Sequence, residues 1–391
     1  MKKIVFFCIP AHGHTNPTLG VVRELVNRGH QVWYYSYEML REKIEGAGAH
    51  FVACDSYDME MHLTPKEAAR LGNDLMLSTR VLVDTTLALD EMVCRDMKQL
   101  QPDCIVADSM AVWGKAVALK LGIPYVSSTT TFAFNQYSAK IMPRSIGELF
   151  RFLIAMPGCS RHIRRLQNRG YPVNTVLDIL QNDDHTHTIV YTSPQFQPCS
   201  ETFSKEHYAF VGPSIRQPAS TVEKTRENLV YISMGTVNND MVPFYKSCIA
   251  ALGETGYQVI LSVGNQVDIQ VFGKLTDGVS VYPHVDQIGV LQKADVFLTH
   301  CGMNSVSEAL YFGVPLLMLP KTPEQKGVAA RVSQLGAGIC LKKETPEEIA
   351  SGIDQLLKVP SFAENASKIG DGFRSCSGAA GAADKILALS R

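Results

Sequence analysis

The run Ile4–Ile9 is apolar throughout and rich in β-branched and aromatic residues. Such a run suits a strand buried on both faces, the situation of a parallel sheet. A helix pattern follows at once. Asn16 offers an N-cap side chain, Pro17 fits a first helical position, Leu19, Val22 and Val26 recur at helical spacing, and Gly29 is a stop. Gln31–Ser36 then reads as a second strand, which completes a βαβ unit. Because parallel strands need crossover helices on the sheet faces, this opening commits the chain to an α/β architecture.

The alternation continues with strands expected near His50–Ala53, Cys104–Ala107 and Tyr125–Ser128, and a mostly helical stretch between 57 and 100. The segment "VGPSIRQPASTVEKTREN" carries two prolines, small polar residues and mixed charge, and reads as a linker. After it the pattern restarts: strands at Leu229–Ser233, Tyr257–Val263, Val279–Tyr282, Val296–Thr299 and Pro315–Leu319, with a helix at Val242–Leu252. At 391 residues the chain is also too long for one ordinary core. The expected fold is two doubly wound, Rossmann-like α/β domains: 1–212, a linker 213–228, and 229–375, with 376–391 a C-terminal helix packing back on the first domain.

Composition removes several classes. A formal net charge of −1 gives no basic surplus for nucleic acid. The ten cysteines show no C-x-x-C pair and no zinc spacing, and read as small buried hydrophobes in a reducing compartment. No apolar run is long enough to span a bilayer. The start "MKKIVFFCIPA" mimics a signal peptide, but its apolar run is only about seven residues, so a cytoplasmic protein is expected. The apolar–basic stretch 148–169 reads first as an amphipathic helix with a solvated arginine face; a lid or a membrane-surface patch is the alternative.

The usual signatures of dinucleotide binding, G-x-G-x-x-G, of a phosphate loop, of a serine hydrolase elbow and of H-E-x-x-H zinc sites are absent, as is any D-x-D. What remains lies at the carboxyl ends of the expected strands, where open α/β sheets bind ligands. His14 follows the first strand and Asp108 ends "DCIVAD". A histidine held by a carboxylate is a general base; the alternatives are a surface histidine and an N-capping aspartate. His12 has no evident partner. In the second half, "FLTHCGMNSVSEAL" runs from a strand through Gly302 into a helix starting near Asn304–Ser305, a ready anion site to which His300, Asn304 and Ser305 can add donors. Glu308, placed in the first turn, could accept from a ribose diol. The turn "YISMGT" adds Gly235 and Thr236. An ordinary capped βα unit is the alternative.

Taken together, "IPAHGHTNPTLGVVREL", "ADSMAVWGK", "YISMGT", "VDQIGVLQKADVFLTHCGMNS" and "LPKTPEQ" resemble the bacterial UDP-sugar-dependent glycosyltransferases of the macrolide and natural-product type. The resemblance runs along nearly the whole chain and is poor over 57–100 and 141–180. It implies the GT-B fold, two Rossmann-like domains facing across a cleft, with donor bound in the C-terminal domain and acceptor in the N-terminal one. It implies an inverting transfer of a sugar, glucose in the first instance with thymidine-linked donors the alternative, from a UDP-sugar to a small hydrophobic acceptor such as a phenolic, flavonoid or macrolide, with no metal and no further cofactor. His14 would be the base and Asp108 its partner. His300, Gly302, Asn304, Ser305 and Thr236 would hold the diphosphate, Glu308 the ribose, Val285 and Gln287 the uracil, and Glu324 and Gln325 the sugar hydroxyls. Phe132, Phe134, Tyr137, Met142 and Phe152 are candidates for the acceptor wall, or for core. Three positions depart from the family: Cys301 where glycine is frequent, Asp286 where proline is, and Lys321 where glutamine is. A side chain at 301 is expected to crowd the diphosphate. An epimerase on the same fold, a silent nucleotide-sugar binder, a membrane-lipid transferase and an NAD enzyme are the competing readings.

Overall fold

The computed structural model describes residues 1–56, 63–68, 70, 74–138, 146–180, 185–235 and 241–391, without the side chains of 65, 68, 146–154 and 180. The chain divides into two units, Met1–Ser214 with Ser377–Arg391, and Ile215–Cys376.

The first unit is built on a parallel sheet of seven strands in the order β3-β2-β1-β4-β5-β6-β7. They are β1 Lys3–Phe7, β2 Gln31–Ser36, β3 His50–Ala53, β4 Cys104–Asp108, β5 Tyr125–Thr129, β6 Thr188–Val190 and β7 Tyr208–Phe210. Chain order reverses between β1 and β4, which pair in parallel with Phe7 beside Ala107. One face carries Val5, Phe7, Ile105 and Ala107 against the helices Leu75–Leu100, Val112–Leu121 and Ile146–Gln167. The other carries Ile4, Phe6, Cys104 and Val106 against the helices His12–Asn27 and Gly378–Leu389. Successive residues of each strand thus enter opposite cores, which is why the strands read as unbroken apolar runs.

The second unit repeats the plan with six strands, order β10-β9-β8-β11-β12-β13: β8 Leu229–Ser233, β9 Gln258–Ser262, β10 Val279–Tyr282, β11 Val296–Thr299, β12 Leu316–Met318 and β13 Gly338–Cys340. Here the reversal falls between β8 and β11, with Ser233 beside Thr299. The 217–228 stretch forms no helix or strand.

Three expectations need correction. The first helix starts at His12, capped by the backbone at Ala11, and Pro17 lies inside it. At the sixth helical position proline lacks the N–H of one i→i−4 bond, so it marks no start and weakens the helix locally. The helix of the second unit starts at Met303 with Gly302 as its cap, so Glu308 sits in the second turn. Of the ten cysteines, all free, Cys340 is exposed and Cys94, Cys199 and Cys376 are only half-buried.

The 148–169 stretch lies in the helix Ile146–Gln167 up to its end, with 168–169 in the turn that follows, and Arg165 pairs with Asp84 at 2.6 Å. No helix among the described residues is long and apolar enough to cross a membrane. Phe132 is core, tilted against Phe196, whereas Phe134 and Tyr137 are 43% and 48% exposed. Met142 and the Phe152 side chain lie outside the described residues.

Candidate active site

Each reversal of strand order opens a crevice at the carboxyl ends of two neighbouring strands. In the first unit His14 and Asp108 occupy it. His14 is in the first turn of the helix after β1, and Asp108 is the last residue of β4. His14 Nδ1 lies 2.8 Å from Asp108 Oδ2; the aspartate side chain is 1% exposed and the imidazole 22%. The other carboxylate oxygen accepts from the Met110 N–H at 2.9 Å. A carboxylate can only accept, so Nδ1 carries the proton and the lone pair is on Nε2, the form a general base needs. Thr130 Oγ1, 3.2 Å from the same Nδ1, joins them. Sequence reading missed Thr130. Its signal is strand adjacency, because β5 runs beside β4 with Ser128 opposite Asp108. His12 instead faces Lys43, with Nδ1 to Nζ at 3.4 Å, and burial together with that ammonium lowers its pKa.

In the second unit His300 follows β11 and Gly235 follows β8. The imidazole is wedged between two glycines. A Cβ on Gly235 would stand 2.6 Å from Cε1 and 2.7 Å from Nε2, and one on Gly302 would stand 2.7 Å from Nε2. Gly235 also has φ +86°, a conformation glycine adopts freely. Burial pushes the His300 pKa down to about 4, so the ring is neutral near pH 7. Its Nδ1 is enclosed without a hydrogen-bond partner among the described residues. An unmet lone pair costs less than an unmet N–H, which puts the proton on Nε2.

The helix Met303–Tyr311 begins beside this ring with no side-chain cap and no acid in its first turn, so its positive end is left for an anion. Asn304 and Ser305 are in that turn and half-buried. Gln287 Nε2 donates to Ser305 Oγ at 3.2 Å and to Glu308 Oε2 at 2.5 Å, and Tyr231 donates to Gln287 Oε1 at 3.3 Å. Burial raises the Glu308 pKa, an effect the Gln287 amide opposes. Gln287, Ser305 and Glu308 are therefore one polar cluster, with half-buried Val285 two residues before Gln287.

Other expectations fare differently. Thr236 lies outside the described residues. Glu324 is exposed in the first turn of the helix Pro323–Gln334. Gln325 closes a capping box: its Oε1 accepts from the N–H groups of Lys321 at 2.8 Å and Thr322 at 3.1 Å. Lys321 pairs with Glu344. Cys301 has φ +69° and is fully buried, its Sγ 3.9 Å from the Thr299 carbonyl. Its departure from glycine therefore acts on the backbone, at about 1–2 kcal/mol of left-handed strain, more than by crowding at the surface. Among the described residues no group of three His, Cys, Asp or Glu side chains could hold a metal ion.

Comparison with known proteins places this geometry. Residues 216–371 match the family model for UDP-glucoronosyl and UDP-glucosyl transferase. The chain is 32% identical to the NDP-glycosyltransferase YjiC of Bacillus licheniformis, over 99% of this chain and 98% of that one. It is 29% identical to the demethyllactenocin mycarosyltransferase of Streptomyces fradiae, over 100% and 87%. The solved glycosyltransferase of kitacinnamycin superposes with a TM-score of 0.86 at 25% identity, covering 100% of this chain and 99% of that chain. Two parallel α/β domains with an aligned full-length relative leave one conclusion: the chain is a GT-B-fold glycosyltransferase of the bacterial macrolide-type branch of the UDP-glucosyltransferase family.

Proposed function

We propose that the protein transfers a sugar, glucose in the first instance, from a UDP-sugar to a hydroxyl of a small apolar natural product, with inversion and without a metal. The observation that carries this is the 2.8 Å bond between His14 and the buried Asp108 at the first strand-order reversal. A neutral hydroxyl is a weak nucleophile. His14 Nε2 takes its proton as the oxygen attacks the anomeric carbon, and Asp108 stabilises the imidazolium that forms. Attack comes from the face opposite the diphosphate, so the anomeric configuration inverts. The leaving UDP gains negative charge, which the Met303–Tyr311 helix end, the Ser305 hydroxyl and the His300 N–H stabilise. The Glu308 carboxylate accepts from the ribose in place of the Gln287 amide, which donates to it at 2.5 Å. The acceptor class is supported by the mycarosyltransferase and kitacinnamycin relatives and by exposed Phe134 and Tyr137.

The test is His14→Ala, assayed by mass shift with UDP-glucose and a panel of macrolide and phenolic alcohols. General-base catalysis is worth about 10²–10⁴-fold, so transfer should fall by that factor while UDP affinity stays within twofold. Parental transfer rates in the variant would remove the base assignment.

A further inference from the structure

Asp286 is the N-cap residue of the helix Gln287–Leu291, yet its side chain makes no bond to that helix. An aspartate at this place ordinarily accepts from its own first turn. Here the carboxylate turns to the segment 216–220. Oδ2 accepts from the backbone N–H groups of Ala219 at 2.5 Å and Ser220 at 2.9 Å, and Oδ1 accepts from the Arg216 guanidinium. The side chain is only 8% exposed. A second contact fixes the same segment, since the Ser220 carbonyl fills the space a Cβ on Gly289 would need.

The helix so held has five residues. A helix that short does not hold its own shape and depends on external anchors. Its first residue is Gln287, whose amide binds Ser305 and Glu308. Ile288, Val290 and Leu291 are buried and anchor the helix on its core side, while Asp286 and Gly289 hold its first turn against the 216–220 segment.

We propose that Asp286 and the 216–220 segment form a positioning wall of the donor site. By fixing the first turn they set the place of the Gln287 amide. They thereby set how tightly a pyrimidine nucleoside diphosphate is held and how well its base is told from a purine. Asp286 and Arg216 are positioning residues and touch no reacting atom. This rests on the donor reading given above.

The experiment compares the full-length protein with Asp286→Pro, Arg216→Gln and Arg216→Lys. Asp286 has φ −71°, inside the range proline adopts, so Asp286→Pro keeps the backbone and removes all three bonds. UDP and GDP affinities are read by calorimetry, and kcat, donor KM and acceptor KM by the transfer assay. UDP Kd and donor KM should rise together by about 5–20-fold in Asp286→Pro, equivalent to about 1–2 kcal/mol. The UDP-over-GDP preference should narrow, while kcat and acceptor KM stay within about twofold. Arg216→Gln should show a smaller loss that Arg216→Lys largely restores. Unchanged UDP affinity and unchanged base preference in both Asp286→Pro and Arg216→Gln would overturn the proposal. So would a loss spread equally over donor KM, acceptor KM and kcat, since that is what general destabilisation produces. His300→Ala combined with Ser305→Ala separates the two readings. If that double variant binds UDP as the parent does, the donor site itself is misplaced. If it loses UDP while Asp286→Pro does not, only the wall is refuted.

Discussion

Replacing Gly235 by alanine perturbs the second unit at one atom. The added Cβ would meet the His300 ring at 2.6–2.7 Å, and the ring also lies close to the Gly302 backbone, where a Cβ would come within 2.7 Å of Nε2. The ring must give by about 0.8 Å to reach an ordinary contact of 3.4 Å, which takes it off its rotamer at about 0.5–1.5 kcal/mol. The backbone adds its own term, because φ is +86°. Left-handed strain costs alanine about 1–2 kcal/mol, and the stiffer unfolded chain returns about 0.4–1 kcal/mol. The sum is a loss of about 1–2.5 kcal/mol. Gly256→Ala is the control, since Gly256 has φ +77° and nothing within 4 Å of its Cβ position. It should lose only the backbone part, about 0.5–1 kcal/mol. If His300 donates to the diphosphate, Gly235→Ala should also weaken UDP binding by about 10–100-fold, the worth of one hydrogen bond to a charged group. Urea unfolding and UDP calorimetry read both quantities. Equal stability and equal UDP affinity in the two variants would refute the idea that His300 is wedged for donor binding.

Asp108→Asn should cut transfer by about 10²–10⁴-fold with little change in melting temperature, and should shift the acid limb of the pH–rate profile; an unshifted profile counts against the dyad. Burial raises the Glu308 pKa, so its charged form is disfavoured by the fold. UDP affinity should therefore decline as pH falls through that raised value. Glu308→Gln should weaken UDP by about 10-fold or more without loss of stability at pH 7, by calorimetry and melting. His300 has its folded pKa lowered to about 4 from an ordinary 6.5, so the unfolded chain binds the extra proton between those values. Its contribution is present above pH 6.5 and is lost as pH falls toward 4, up to about 3 kcal/mol; His300→Asn should flatten that slope in urea unfolding at pH 7 and pH 5.

Much of the fold was legible because buried parallel strands write themselves as unbroken apolar runs, Ile4–Val5–Phe6–Phe7 being the plainest. The strands β6, β7 and β13 went unread, each being three residues long; β12 is as short but was read because it sits inside the apolar run 314–319. The pairing of His14 with Asp108 followed from placing both at strand ends. Thr130 did not, because it requires knowing that β5 lies beside β4. The start of the first helix was misplaced because Asn16–Pro17 imitates a start signal, while the real cap, Ala11, has no side-chain acceptor to betray it. The strain at Cys301 and the turn of Asp286 toward 216–220 are backbone and tertiary facts that no local pattern encodes.

The helix Gly378–Leu389 sends Ala382, Ala383 and Ile386 into the same core as Ile4 and Phe6, and Asp384 on it pairs with Arg28. The first unit is therefore assembled from two separate stretches, Met1–Ser214 and Ser377–Arg391. That core is complete only when the segment after 376 has packed against the first 214 residues. Anyone grafting this unit onto a foreign partner for the second one must splice at two junctions, near 214 and 377, because a single crossover would leave apolar surface bare where 377–391 packs.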